Sequence, residues 1–395
     1  MADMKHGTTS MVDELIIDVD AHLTEPADVW TSRMPARYLD RVPHVVRDDA
    51  GIDVWMLEGE RLGTVGGSAP AGAQVGPTES PKTYDDVHPA AFDAHARLRH
   101  LDELGFWAQV LYPNVAGFGA QRFLRLGDPE LMLLCVRAYN DFLADWCSAD
   151  SRRLLGVCAT PFWDPLAAAD EIRRAADLGH RGVLMTGEPQ ALGFPNIGDR
   201  SWDPMWNAAD ECGLAIHFHL GSGDMSKAFT PERVAAHGLA ETYAFTAVEL
   251  FLKNATQVSD LLLSGVLERH PNLKFVSVES GIGWVPFVLE AADYSFAEAR
   301  HGSVSEVRTK PSELFERQVY ACYWFEQFAP RRLLDTIPVS NVLFETDFPH
   351  PICLHGDVRA TIDASLSEAS PTQRRKILWE NAAELYRVEA PVAHG

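Results

Sequence analysis

A closed α/β barrel of eight parallel strands, alternating with helices, is the fold class this sequence predicts. Three observations predict it. Short apolar runs of strand length alternate with longer stretches of helical periodicity from residue 91 onward, and that alternation implies a parallel sheet. Adding one earlier apolar run near the N-terminus brings the strand count to eight, the number that closes a (β/α)8 barrel. Metal-competent or titratable residues also fall at the C-terminal ends of four of those strands, where barrels of this class carry their catalytic groups. The competing architecture, a doubly wound open sheet, would show a Gly-rich phosphate loop after its first strand, and none is present.

The first strand spans residues 14–22, with Asp18-Val19-Asp20-Ala21-His22 at its end. Strict alternation puts Asp18, Asp20 and His22 on one face and Ile17, Val19 and Ala21 on the other. Residues 42–64 read as a small β insertion, with turns at Asp49–Gly51 and Glu58-Gly59. Residues 65–82 are rich in Gly, Ala, Ser and Pro, lack periodicity and offer no core residues. They are expected to form a mobile loop, a lid over the barrel mouth. Strands follow at 108–113, 154–161, 182–185, 214–219, 273–279, 318–324 and 342–347. Helices are predicted over 91–104, 128–146, 165–178, 202–212, 238–252, 256–269, 285–300, 330–336, 357–367 and 371–386. The barrel domain therefore runs over 14–387, between an N-terminal tail (1–13) and a C-terminal tail (388–395).

Composition narrows the function. The chain has 395 residues, 46% of them hydrophobic and 23% charged, ordinary values for a globular protein. A net charge of −22 argues against nucleic acid and anionic membrane as partners, and means an anionic small-molecule substrate needs a local positive centre. No run of eighteen apolar residues suggests a membrane span, and residues 1–13 lack the apolar core of a signal peptide. Six dispersed cysteines without a CxxC motif point to a reduced, cytoplasmic protein and away from thiol catalysis.

The strand ends carry the chemistry. Asp20 and His22 are two residues apart, a spacing that chelates a divalent cation. The fifth strand ends in His217-Phe218-His219, the sixth in Glu279, the eighth in Glu345-Thr346-Asp347. His219 and Asp347 are read as site residues. His217 is either a site residue or a hydrogen-bonded core histidine, Glu279 either an acid of the site or an ion-pair partner, and Glu345 either an inward acid or an inner-layer partner. Glu25, His44, His88, His95 and His100 are read as surface. Two carboxylates and two neutral imidazoles would neutralise a divalent ion, and their mixed oxygen and nitrogen donors suit Zn2+ or Mn2+.

Several stretches together resemble the amidohydrolase superfamily, and within it the amidohydrolase-related ("amidohydrolase 2") branch of aminocarboxymuconate-semialdehyde and hydroxybenzoate decarboxylases. They are Asp18-Val19-Asp20-Ala21-His22 with Glu25-Pro26, Leu101-Asp102-Glu103-Leu104-Gly105, Gly213 to His219, His270-Pro271-Asn272, Glu345 to His350, and Trp379-Glu380-Asn381-Ala382. The resemblance implies a distorted TIM barrel. It implies one divalent ion, with Asp20, His22, His219 and Asp347 as ligands, and Asp347 as proton shuttle. Two departures stand out. The wider superfamily has His at the position of Asp20, and many relatives have His where this chain has Glu279.

The leading expectation is a metal-dependent, non-oxidative decarboxylase of a small hydroxylated aromatic or unsaturated carboxylic acid. Asp347 would be the acid, Glu279 and His217 further catalytic candidates, and Trp163, Phe218 and Trp324 the aromatic wall. The alternative is a metal-dependent hydrolase of an amide, ester, lactone or C–C bond, which would use the same ligands with Asp347 as general base. A third reading, a binding protein on an inactive barrel, is disfavoured because every ligand position holds a competent residue. A homodimer is expected.

Overall fold

The computed structural model describes residues 14–73, 75, 80–223, 229–299 and 306–391. The expectations for 1–13, for residues 74 and 76–79 of the mobile loop and for 392–395 lie outside these residues. The chain begins with β1 (Ile17–His22), then forms a small antiparallel sheet of β2 (His44–Arg47), β3 (Asp53–Leu57) and β4 (Glu60–Thr64). The barrel continues with β5 (Ala108–Tyr112), β6 (Leu154–Cys158), β7 (Gly182–Leu184), β8 (Ala215–His219), β9 (Phe275–Val278), β10 (Val319–Tyr323) and β11 (Val342–Phe344). The eight barrel strands lie in the order β1-β5-β6-β7-β8-β9-β10-β11, each paired parallel to its neighbour.

Closure between the first and last strands runs through two backbone hydrogen bonds. Asp347 N donates to the Asp20 carbonyl at 2.9 Å, and His22 N donates to the Phe348 carbonyl at 2.7 Å. The wall encloses an apolar interior that includes Ile17, Val19, Val110, Val157, Val276 and Leu343. A second, larger core fills the space between the wall and the surrounding helices. The barrel strands are buried on both faces and mostly apolar, as parallel strands covered on both sides require, β1 and β8 carrying the chief polar exceptions.

The helices start and stop where the sequence marks them. Asp93 caps α1 (Ala94–Leu104), and Gly105 ends it with φ 70°. Asp128-Pro129 and Asp164-Pro165 begin α2 (Pro129–Cys147) and α3 (Pro165–Asp177), each Asp side chain accepting backbone N–H groups of the first turn. α4 (Asp203–Cys212) ends at Gly213, φ 62°. After α5 (Pro231–His237) comes α6 (Leu239–Leu263), one 25-residue helix where the sequence suggested two pieces. It holds no Gly or Pro that would break it. Asn254 on α6 donates to the carbonyls of Phe218 and Val278, tying the helix to the ends of β8 and β9.

The small sheet and residues 65–73 after it stand over the C-terminal mouth. The Ala71 N–H donates to the Pro349 carbonyl, just past β11. This segment does contribute core residues, contrary to its composition, since Val65 and Ala69 are fully buried. Gly66 is required there: a Cβ would stand 2.1 Å from the Pro81 carbonyl oxygen.

Candidate metal centre

A bulge in β1 builds the site. Asp18 pairs with Gln109 of β5 but Ala21 pairs with Leu111, so three steps on β1 match two on its neighbour. The extra residue shifts the alternation. Ile17 and Val19 line the barrel interior, yet Asp20 and His22 still reach the site two residues later. Strict alternation therefore misplaced the faces: Asp18 turns away to Gln109 and Thr346. At the opposite wall, Val276 and Val278 are the inward residues of β9, and Phe275 packs outside against Trp206. Glu279 comes into the site because it leaves the strand with φ 60°, not because it shares a face with Phe275. Asp347 has φ 62°. Two non-glycine residues in the left-handed region, both at the mouth, mark a site whose surroundings hold strained backbone in place.

The structure brings Asp20, His22, His219, Glu279 and Asp347 together, all buried. Asp20 Oδ1 lies 3.4 Å from both His22 Nε2 and His219 Nε2, and Asp347 Oδ1 lies 3.4 Å from His22 Nε2. His22 Nδ1 lies 3.1 Å from the Pro113 carbonyl and His219 Nδ1 lies 2.8 Å from that of Leu220. A carbonyl only accepts, so each Nδ1 carries hydrogen and each Nε2 presents a lone pair in the neutral ring. Those two Nε2 atoms face each other at 3.1 Å. Both oxygens of Asp20 and both of Asp347 lack a hydrogen-bond donor among the described residues. Converging lone pairs and orphaned buried carboxylate oxygens are costly unless a cation sits among them, so this donor set fits a divalent ion.

Charge crowding gives the same picture. Burial, and then the neighbouring carboxylates, push Glu279, Glu345 and Asp347 well above the usual carboxylate range. Burial and the adjacent His350 and His219 rings hold His22 well below its ordinary value. Burial also pulls on His219, but Asp20 and Glu279 more than offset it and the net shift is upward.

Other predicted residues fall elsewhere. His217 lies deeper in the barrel, its Nδ1 2.5 Å from the Tyr112 hydroxyl, and does not join the cluster. Glu345 points inward and accepts the Glu279 N–H at 3.1 Å. Glu25 is not on the surface: it is fully buried and accepts the N–H groups of Asn114 and Val115. His88 and His100 are partly buried against Phe348. The expected aromatic wall is also different. Phe218 packs outside the barrel on Phe275, Trp163 on Phe162, and Trp324 on Phe251. The ring that faces the cluster is Phe118, stacked on His219 at 4.5 Å.

Sequence reasoning missed His350, although it stands three residues after Asp347. Its Nδ1 lies 2.7 Å from Asp347 Oδ1, its Nε2 lies 2.7 Å from Asn114 Oδ1, and its ring stacks on His22. Arg97 was missed too; it is fully buried, bound to the Ala90 and His22 carbonyls and to Gln109.

Comparison with known proteins agrees with this architecture. Gamma-resorcylate decarboxylase of Rhodococcus jostii (strain RHA1) is 26% identical over 323 residues, covering 78% of this chain and 92% of that protein. Among solved structures, an amidohydrolase of Mycobacterium avium subsp. paratuberculosis K-10 superposes with a TM-score of 0.75 at 22% identity, covering 95% of this chain and 99% of that one. A dihydroxybenzoic acid decarboxylase of Polaromonas sp. JS666, solved with manganese and 2-nitroresorcinol, gives a TM-score of 0.63 at 19% identity over 96% of this chain and 98% of its own. The family model described as Amidohydrolase matches residues 17–388, nearly the whole chain, and the chain belongs to that family.

Proposed function

We propose that this protein is a metal-dependent, non-oxidative decarboxylase of a small hydroxylated aromatic carboxylic acid. The observation that carries this reading is the 2.7 Å contact between Asp347 Oδ1 and His350 Nδ1. Asn114 Nδ2 donates to the Leu23 carbonyl, which leaves its Oδ1 as the acceptor facing His350 Nε2. The Nε2–H is thereby fixed, and His350 Nδ1 is the lone-pair atom beside Asp347 Oδ1. Burial raises Asp347 well above the usual carboxylate range, and a buried acid facing that lone pair is suited to hold the proton that protonation of a ring carbon needs. The likeness to gamma-resorcylate decarboxylase over most of both chains supports the same chemistry.

Asp20, His22, His219 and Asp347 would hold one divalent ion per chain. We favour Mn2+ over Zn2+, because carboxylates supply half of those ligands and the Polaromonas neighbour carries manganese. When bound, the ion supplies Lewis-acid polarisation of the substrate's oxygens. Phe118 offers its ring face to an aromatic substrate. The proton passes from Asp347 to the ring carbon bearing the carboxylate; that C–C bond breaks, its electron pair returns to the ring, and CO2 leaves. Glu279 stands beside Asp347 and His219 and orients a substrate hydroxyl. The six cysteines are unpaired, which supports a reduced cytoplasmic setting. No helix of the described residues is long and apolar enough to cross a membrane. We further propose a homodimer, supported by exposed Leu239, Val248 and Leu252 on α6 and by Phe328.

The test is metal analysis of the purified protein followed by incubation of the Mn2+-loaded protein with 2,6-dihydroxybenzoate and related acids. Stoichiometric CO2 and the decarboxylated phenol are expected. Hydrolysis of esters, amides or lactones with no CO2 from any acid would replace this reading with the hydrolase alternative.

A further inference from the structure

Glu326 stands on the loop between β10 and the helix Phe328–Arg332, at the same end of the barrel as the cluster. Its Oε1 accepts the N–H groups of Ile282 at 3.0 Å and Gly283 at 2.8 Å, and its Oε2 accepts that of Ile282 at 3.0 Å. Those two residues belong to the stretch that joins Glu279 to the helix Val285–Ala299. The stretch enters the left-handed region twice, at Glu279 (φ 60°) and at Gly281 (φ 71°). Its glycines clear room for the carboxylate. A Cβ at Gly281 would stand 2.9 Å from Glu326 Cδ, and one at Gly283 would stand 3.2 Å from its Oε1. The inner end of the stretch has anchors of its own: Glu279 N donates to Glu345 Oε2 at 3.1 Å, and Ser280 Oγ lies 2.8 Å from Ser277 Oγ. At the outer end, Glu326 supplies the side-chain acceptor.

A stabilising cap does not account for this carboxylate. Glu326 is partly buried, and the facing residues 280–284 hold no titratable side chain. Arg331 and Arg332, which follow it, bond to Ala364 and Glu368 instead. Tyr323 on β10 is the titratable group that feels its charge. Burial raises Glu326 from its ordinary value of 4.5 to about 7, and the two N–H groups oppose that only in part. An acid raised in this way favours folding while it is protonated and weakens the fold as pH rises toward 7 and it ionises. What ionisation does supply is a stronger acceptor for the two N–H groups. We infer that Glu326 is a positioning residue, whose carboxylate holds the backbone of Ile282 and Gly283 and thereby keeps Glu279 turned toward His219 and Asp347. It acts through Glu279, whose Oε2 lies 3.7 Å from His219 Nδ1. This rests on the decarboxylase reading, in which Glu279 orients a substrate hydroxyl. The consequence is a pH-dependent grip: ionised Glu326 fixes the turn, and neutral Glu326 loosens it.

The experiment reads the grip with and without turnover. Hydrogen exchange at residues 280–284 of the Mn2+-loaded native protein is followed by mass spectrometry at pH 6 and pH 8 and corrected for intrinsic rates. Protection should be about 10-fold greater at pH 8, the size of one charge-assisted hydrogen bond. Equal protection overturns the inference. In turnover of 2,6-dihydroxybenzoate, kcat of the native protein divided by that of Glu326→Gln should rise from about 1 at pH 6 to about 10 at pH 8, with KM and metal content near native. That ratio cancels every group that titrates alike in both proteins. A merely structural carboxylate would shift the urea midpoint and leave the ratio level across pH, which sinks the inference. Added to Glu279→Gln, the same substitution should lower kcat no further, because both residues act by one route. An equal loss in that background also overturns it. If Glu326→Gln does not fold, exchange in the native protein decides. Protection that rises with pH, without CO2 release from any acid, would sink the decarboxylase reading and leave the grip standing. CO2 release with equal protection would do the reverse.

Discussion

Asp18 and Asp20 are two residues apart on one strand, both carboxylates are fully buried, and they differ in everything else. Asp18 accepts hydrogen bonds from Gln109 Nε2 and Thr346 Oγ1 at 2.6 Å, from Thr346 N at 2.9 Å and from Asp20 N at 3.2 Å. Asp20 has no donor on either oxygen among the described residues. The first is an architectural carboxylate that ties β1 to β5 and to the end of β11. The second is left open, with two histidine lone pairs converging on it. Burial alone does not distinguish a functional acid from a structural one; what each oxygen is bonded to does. The β1 bulge is what allows the two roles so close together, by sending one side chain outward and the other to the mouth.

The largest expected effect tests the open side of this comparison. Asp347→Asn should lower turnover by about 10^3- to 10^4-fold, the range for loss of a positioned acid together with a metal ligand. Steady-state CO2 release measures it. Asp20→Ala and His219→Ala should likewise purify with less than the native metal content by mass spectrometry. Wild-type occupancy in the double variant His219→Ala/Asp347→Ala would remove the metal assignment altogether.

Next in size is a crossed experiment on stability. Asp18→Ala leaves four donors unsatisfied and should cost about 3–5 kcal/mol in urea unfolding while metal bound per folded molecule stays near native. Asp20→Asn should do the opposite: in the metal-free protein, stability should hold or rise by about 1 kcal/mol, with metal binding lost. If both variants behave alike, the division of roles between the two aspartates is wrong.

Glu279→Gln gives a smaller change. It keeps the shape and removes the titratable group, so metal should remain and turnover should fall by about 10^2-fold. Near-native turnover would make Glu279 structural and leave the acid–base work to Asp347 alone.

The smallest effect provides a reference away from the cluster. Burial lowers His180 from its ordinary value of 6.5 to about 4, and its Nε2 lies 3.0 Å from the Asn140 carbonyl. The unfolded chain takes up this proton before the folded one does. The contribution is therefore complete above pH 6.5 and is lost as pH falls from there toward 4, about 3 kcal/mol in all. His180→Gln should flatten urea stability across that window without altering metal content. An unaltered acid slope in this variant would place the linkage elsewhere, in the cluster itself.

The sequence made the barrel legible because strand-length apolar runs and capped helices repeat with little interruption, as at Asp128-Pro129 and Asp164-Pro165. It also made four of the clustered residues legible, Asp20, His22, His219 and Asp347, because each is a metal-competent residue at a strand end. It hid what depends on phase and on tertiary neighbours. One inserted residue in β1 reversed the faces of Ile17 and Val19, and periodicity carries no mark of a bulge. The left-handed turn at Glu279 likewise brought the right residue into the site for a different reason from the one alternation suggested. Glu25 looked like a loop acid because its partners, two backbone N–H groups some ninety residues on, leave no trace in the local sequence. Phe118 and Glu326 lie on the loops after β5 and β10, where no period applies. His350 was the nearest to being legible, three residues from Asp347 and aimed back at the same atom.

The seam that closes the barrel has a consequence for how the protein comes into being. Asp20 and Asp347 are joined there through backbone, and Asp18 and Thr346 across the same seam are 328 residues apart in the chain. Asp20 and His22 are thus translated first of the cluster, His219 and Glu279 some two hundred residues or more later, and Asp347 last. No truncated product ending before β11 can assemble the site. Any ion that clamps the two edges acts as a latch on a finished ring, rewarding only chains that have been read past β11.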